Sequence, residues 1–191
     1  MKLEELSHIL ISVVTISIAF TIVQVGTLAL TKDFATTFTA LFLTVGLGFV
    51  LHELAHRNLA RMYGAWAEFR SWTLGLVIAL VMAITTGFVF AAPGATYIYG
   101  PHLTKEKLGK IALIGPLTNL ALAIVFLFVG FVIPGLKSFT TLGSNVNLFL
   151  GAFNMIPIFV LDGKKVYDWN KMVWALTSFV LVFGLFLSNS I

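Results

Sequence analysis

Apolar residues run along this chain in stretches too long for the interior of an ordinary soluble helix, separated by short polar connections. Crossing the hydrocarbon core of a bilayer takes about 20 predominantly apolar residues. Leu6–Leu30, Phe34–Met62, Leu108–Ile133, Leu142–Leu161 and Lys171–Ser188 are candidates for crossing helices, and Trp72–Ala92 is a further apolar segment whose path is open. The pattern predicts an all-α polytopic membrane protein. It should have five to six transmembrane helices, a re-entrant path at Trp72–Ala92, and residues 1–191 forming a single integral-membrane domain. One stretch breaks the helical rhythm. "GATYIYG", Gly94–Gly100, is rich in aromatic and β-branched residues and bounded by Pro93 and Pro101, which suits a short membrane-associated strand as well as it suits a loop. Leu6–Leu30 is longer than the ~7–15-residue core of a signal peptide and no small-residue cleavage site follows, so a retained helix is expected there.

Composition agrees with the pattern. Hydrophobic residues make up 59% of the chain and charged residues 10%, against about 25% charged in soluble domains. The net charge of +4 comes from lysines and arginines gathered in a few connections: Arg57, Arg61 and Arg70, then Lys105, Lys107 and Lys110, then Lys164, Lys165 and Lys171. Such grouping marks cytoplasmic ends of membrane helices, and no basic run interleaves with aromatics as a nucleic-acid surface would. The expected partners are therefore membrane lipid and protein, with no nucleic acid and an oligomeric state left open. The expected location is the cytoplasmic membrane. With no cysteine in the chain, any metal site must be built from histidine, aspartate and glutamate.

One segment carries ionisable groups where the bilayer makes them costly. In "FVLHELAHRNLARMYG", Phe49–Gly64, His52 and His56 stand four apart and share one helix face. This is the spacing of H-E-x-x-H zinc sites, in which the glutamate beside the first histidine serves as general base. Neutral imidazole nitrogen is a good zinc ligand, and zinc lowers the pKa of a bound water towards ~7. Glu53 would take the proton and later pass it to a leaving amine. The bland alternative is a polar helix end with Arg57 and Arg61 reaching for headgroups. Depth opposes it: His52 lies about 14 Å deeper than Arg61 along a helix, where a buried ionisable cluster calls for a partner such as a divalent cation.

A third ligand is not fixed by the residues. His8 and His102 are available, as are Glu4, Glu5, Asp33, Glu68, Glu106, Asp162 and Asp168. Asp162 closes "GAFNMIPIFVLDG", where Pro157 breaks the helix from within and Asn154 adds a second polar group. Irregular backbone at membrane depth is tolerated where it faces protein or a wet cavity. An ordinary Asp-Gly turn accounts for Asp162 equally well.

Together, "HELAH" (His52–His56) and "NMIPIFVLDG" (Asn154–Gly163) resemble the paired motifs of the site-2 protease family of intramembrane zinc metalloproteases. "IGPLTNLALA" (Ile114–Ala123) is similar to the family's G-P-x-x-N helix between them. The resemblance implies an intramembrane zinc endopeptidase that cleaves transmembrane segments of other proteins, with its active site towards the cytoplasmic side. It implies one Zn2+ per chain, held by His52, His56 and Asp162, with Glu53 activating water and Asn154 assisting substrate or oxyanion binding. Val160, where many members have proline, and Lys164-Lys165, in place of a common G-R pair, depart from the pattern without removing a catalytic group. Gly115 and Asn119 in "GPLTN" suit close helix packing better than substrate contact. A competing class is a proton- or ion-coupled transporter that uses the same buried polar residues without metal.

Overall fold

The structure, a computed structural model, describes residues 3–26, 32–90, 92–158 and 160–188. In chain order the elements are α1 (Leu3–Val25), α2 (Lys32–Met62), β1 (Trp66–Ser71), α3 (Thr73–Thr86), β2 (Gly94–Tyr99) and α4 (Lys105–Val132). A short 3-10 turn (Pro134–Leu136) then leads to α5 (Lys137–Asn154), α6 (Asp162–Trp169) and α7 (Lys171–Ser188). Among the described residues α1, α2, α4 and α7 are long and apolar enough to cross a membrane. Their outer faces carry phenylalanines that water would not tolerate in such numbers, Phe128, Phe131, Phe179 and Phe186 being at least 64% exposed. The chain is an integral membrane protein.

The boundaries differ from expectation in instructive places. The expected Leu142–Leu161 helix begins earlier, at Lys137, and ends at Asn154. Pro157 has no N–H to continue the ladder and biases the residue before it away from helix. The Asp162–Asn170 connection is itself helical, as α6. The expected strand at Gly94–Gly100 is present as β2 and pairs with β1, which lies in what read as a plain connection. Gly94 meets Arg70 and Ser71 while Gly100 meets Ala65, so the two strands run antiparallel. The expected end of the first helix, Leu28–Leu30, lies outside the described residues.

The chain divides into two compact units. The first comprises residues 1–50 and 68–97. Its core is built on the stripe Ile9, Val13, Ile16, Ala19 and Ile22 of α1, joined by Leu41, Val45 and Phe49 of α2 and by Leu76, Ala79 and Ala83 of α3. Small residues set the spacing: a Cβ on Gly46 would lie 2.9 Å from Val13. At its polar end, the buried carboxylate of Glu5 accepts from the Phe69 amide at 3.2 Å, and His8 meets Ser71 at 2.6 Å. Arg70 pairs with Glu4 and Glu68, and its hydrogen bond to Glu4 holds the guanidinium above its ordinary pKa. His8 and two of the seven candidate acids, Glu4 and Glu5, are thereby committed to joining α1 to β1, and a third, Glu68, to the Arg70 of its own strand.

The second unit comprises residues 51–67 and 98–191. Here α4 packs on α5 and α6, and both pack on α7. Ala112, Ala123, Leu148, Met155, Val166 and Leu181 form its buried apolar cluster. Ala60, Ala65, Ala67 and Ile111 form a second cluster beneath the C-terminal turn of α2. His52, Glu53 and His56 of the HELAH segment are themselves buried.

Candidate metal centre

His52, Glu53 and His56 project from the part of α2 that belongs to the second unit, and all three are buried. Four-residue spacing stacks the two imidazoles one turn apart, with ring centroids 4.6 Å apart and planes at 82°. Asp162, also buried, is the first residue of α6. One of its oxygens, Oδ2, lies 3.2 Å from His52 Nε2 and 2.9 Å from His56 Nε2. The ligand atoms of these three residues all lie within 4.8 Å of one another, and no other group of three potential ligands does so among the described residues.

Local chemistry explains how Asp162 reaches this point. Beyond Asn154 the chain leaves the helix, passes Pro157 and re-enters at Asp162. Gly163 lets the returning backbone lie on the loop it has just left: a Cβ there would fall 2.1 Å from the Met155 carbonyl oxygen. That oxygen accepts from the Trp174 indole N–H at 2.7 Å, which pins the loop to α7. The other Asp162 oxygen, Oδ1, lies 3.7 Å from Lys165 Nζ. The carboxylate thus turns one oxygen inward and the other towards a cation.

The histidines are held by their far nitrogens. His56 Nδ1 lies 2.6 Å from the Ile111 carbonyl oxygen of α4. A carbonyl oxygen accepts only, so His56 Nδ1 carries a proton, and in the neutral ring Nε2, 2.9 Å from Asp162 Oδ2, then carries the lone pair. His52 Nδ1 lies 2.5 Å from Asn119 Oδ1, also on α4. With that oxygen as acceptor, its Nε2 is likewise a lone pair. With both rings neutral in this tautomer, two lone pairs and a carboxylate converge, an arrangement that a cation stabilises and that is costly without one.

Space at this point is reserved as well. A Cβ built on Gly115 would fall 2.4 Å from His56 Nε2 and 2.6 Å from His52 Nε2. The missing side chain leaves open the volume beside both Nε2 atoms. Donor set, tautomers and space fit zinc, which takes histidine nitrogen and carboxylate oxygen in tetrahedral sites and keeps an open position where it is catalytic.

The remaining candidates lie elsewhere. His102 is exposed, Glu106 pairs with Lys110, and Asp168 pairs with Lys164 on the surface of α6. Asn154 is half-buried at the end of α5 and donates from Nδ2 to the Leu150 carbonyl at 3.0 Å. Glu53 acts electrostatically on His56 but is not one of the three converging groups. Sequence reasoning assigned Asn119 to helix packing, with its amide able to bond across helices; the structure shows such bonds and supplies their partners, His52 and Asn147. The available signal was an uncharged amide in the middle of an apolar helix, where a buried polar group needs a specific partner.

Comparison with known proteins agrees. Over 143 residues the chain is 49% identical to MJ0611 of Methanocaldococcus jannaschii, covering 73% of this chain and 75% of that protein. Over 130 residues it is 31% identical to zinc metalloprotease MJ0392 of the same organism, covering 66% of this chain but 32% of the longer relative. It is 25% identical over 154 residues to YwhC of Bacillus subtilis, covering 67% of each. MJ0611 and YwhC carry the zinc metalloprotease name provisionally. No family model matches the chain, and no solved structure matches it. The motifs, the convergence of two histidines and an aspartate, and these relatives lead to one conclusion: the chain belongs to the site-2 protease family of zinc metalloproteases.

Proposed function

We propose that this protein is an intramembrane zinc endopeptidase, cleaving transmembrane segments of membrane proteins at a centre built from His52, His56 and Asp162. The observation that carries the reading is the convergence of His52 Nε2, His56 Nε2 and one buried Asp162 oxygen, which lies 3.2 and 2.9 Å from the two nitrogens. A zinc ion there supplies Lewis acidity, polarising water and the scissile carbonyl. The chain's own residues do the rest. Glu53 takes a proton from the attacking water and delivers it to the departing amine, so that one peptide bond is exchanged for a carboxylic acid and an amine. Asn154, released from the Leu150 carbonyl, donates its amide N–H to the oxyanion. Helices α4, α5 and α6 keep lipid away from the reacting groups.

Purified protein should contain one zinc per chain, lose it on His52→Ala, and cleave a transmembrane test substrate only when loaded. A metal-free proton relay built from the same residues would show no zinc at any stage, and that result would overturn the reading. Asp162→Ala should weaken zinc binding by roughly 10–100-fold, whereas Asp168→Ala, which removes only a surface pair with Lys164, should leave it unchanged. Equal zinc content in wild type and Asp162→Ala would exclude the aspartate as a ligand. That range is the usual cost of losing an outer partner of a metal ligand, and loss of a direct ligand should meet or exceed it.

The active site is proposed to face the cytoplasm, and this sets the path of Trp72–Ala92. His56 and Asp162 must reach one metal, which requires α5, although among the described residues it is not one of the four helices long and apolar enough to cross, to bring back the chain that α4 carries across. A net crossing by α3 would break that parity and place Lys105, Lys107 and Lys110 outside. The 14 residues of α3 extend about 21 Å, short of the ~30 Å hydrocarbon core. Single cysteines at Arg70 and Lys105 should therefore react with a membrane-impermeant reagent from the same face. Reaction from opposite faces would show a net crossing.

A further inference from the structure

His52 is held through a run of three hydrogen bonds that ends on a backbone carbonyl. Asn147 Nδ2 donates to Gly143 O at 2.8 Å, Asn119 Nδ2 donates to Asn147 Oδ1 at 3.0 Å, and Asn119 Oδ1 lies 2.5 Å from His52 Nδ1. Both asparagines are fully buried. The direction of every bond follows from the last one. A carbonyl oxygen only accepts, so Asn147 must turn its NH2 towards Gly143 and its oxygen towards Asn119. Asn119 must then answer with its NH2, which leaves its own oxygen facing His52. The proton of His52 is thereby placed on Nδ1 and the lone pair on Nε2.

Asn119 alone could not make this choice. Its amide can rotate so that NH2 and oxygen exchange places. In the exchanged state His52 would accept at Nδ1 and carry its proton on Nε2, 3.2 Å from the Asp162 carboxylate, where it would form a satisfactory hydrogen bond. Within the histidine–aspartate cluster that second state is self-consistent, and it places a proton where a metal ion would bind. The Asn147 oxygen opposes it, because it requires a donor from Asn119. The structure assigns to Asn147, on α5, the role of positioning residue that selects the metal-receptive tautomer of His52 through Asn119. Its effect on metal affinity rests on the zinc reading above; its effect on the tautomer does not. Outer partners of metal-bound histidines generally change affinity by about 10–100-fold.

The test uses the full chain in detergent. Side-chain 15N resonances of His52 in the metal-free protein should report protonated Nδ1 and unprotonated Nε2. Asn147→Leu should populate the form protonated at Nε2 and raise the dissociation constant for Zn2+ by about 10–100-fold. Asn147→Asp guards against a mere folding defect. Burial favours the protonated acid, which donates to Gly143 and accepts from Asn119, so tautomer and affinity should stay close to wild type. A double-mutant cycle completes the test: in an Asn119→Ala background, Asn147→Ala should weaken Zn2+ binding no further. Unchanged tautomer and affinity in Asn147→Leu would overturn the assignment, as would additive effects in the cycle, which are the mark of independent sites. Failure of the zinc reading itself would look different: wild type would bind no Zn2+, or His52→Ala would retain it, while the tautomer change in Asn147→Leu would still be seen.

Discussion

Glu53→Gln is expected to reduce proteolysis by about 10²–10⁴-fold, the usual cost of losing a general base, while the protein keeps its zinc. Glutamine has nearly the shape of glutamate, so the buried packing around this position of α2 is conserved. It differs in having no basic oxygen with which to take a proton from water. Glu53 lies outside the group of His52, His56 and Asp162 whose ligand atoms converge, so the metal count should not fall. The informative pairing is metal analysis and turnover on one preparation, with Glu53→Asp alongside. The shorter acid retains basicity but withdraws it by one methylene, and should fall between wild type and glutamine. Near-normal cleavage by zinc-loaded Glu53→Gln protein would remove Glu53 from the mechanism.

What could be read in advance divides along the distance over which the information is stored. The two histidines were legible because helical spacing alone puts i and i+4 on one face. The long helices were legible because membrane crossing imposes a length and a composition. Asp162 was not fixed by the residues: an Asp-Gly pair after a broken helix serves a turn as readily as a metal, and only its approach to His52, 110 residues away, separates the two. The same holds for Asn119 and Asn147, whose partners lie on other helices. Their apolar neighbours signal that a partner must exist without naming it. At the level of the fold, α6 was missed because eight residues of mixed polarity, "DGKKVYDW", give too few turns for a period to emerge. β1 was missed because its pairing partner, β2, is supplied by a distant segment.

Gly115→Ala is expected to weaken zinc binding by more than 100-fold, with activity lost in parallel and folding intact. The added methyl would fall 2.4 Å from His56 Nε2 and 2.6 Å from His52 Nε2, well inside any carbon–nitrogen contact. Relief would require either the rings or the helix to move, and the structure obstructs both. The rings are tied by Nδ1 to Ile111 and Asn119, which belong to α4, the helix that would carry the methyl. Sliding α4 away would therefore draw both histidines after it or break both hydrogen bonds, and either outcome spoils the convergence on Asp162. The magnitude exceeds that expected for loss of one outer partner because both nitrogen donors are affected at once. Helix propensity runs the other way, since alanine stabilises a helix interior relative to glycine by about 1 kcal/mol. Overpacking at the rings costs about 1–3 kcal/mol, so thermal stability of the metal-free protein should fall only modestly while zinc binding is lost from a chain that still folds. Gly135→Ala provides the control, because a Cβ there meets nothing within 4 Å. Wild-type zinc affinity in Gly115→Ala would mean that the two imidazoles are free to turn, and that the space beside Gly115 is not where the metal sits.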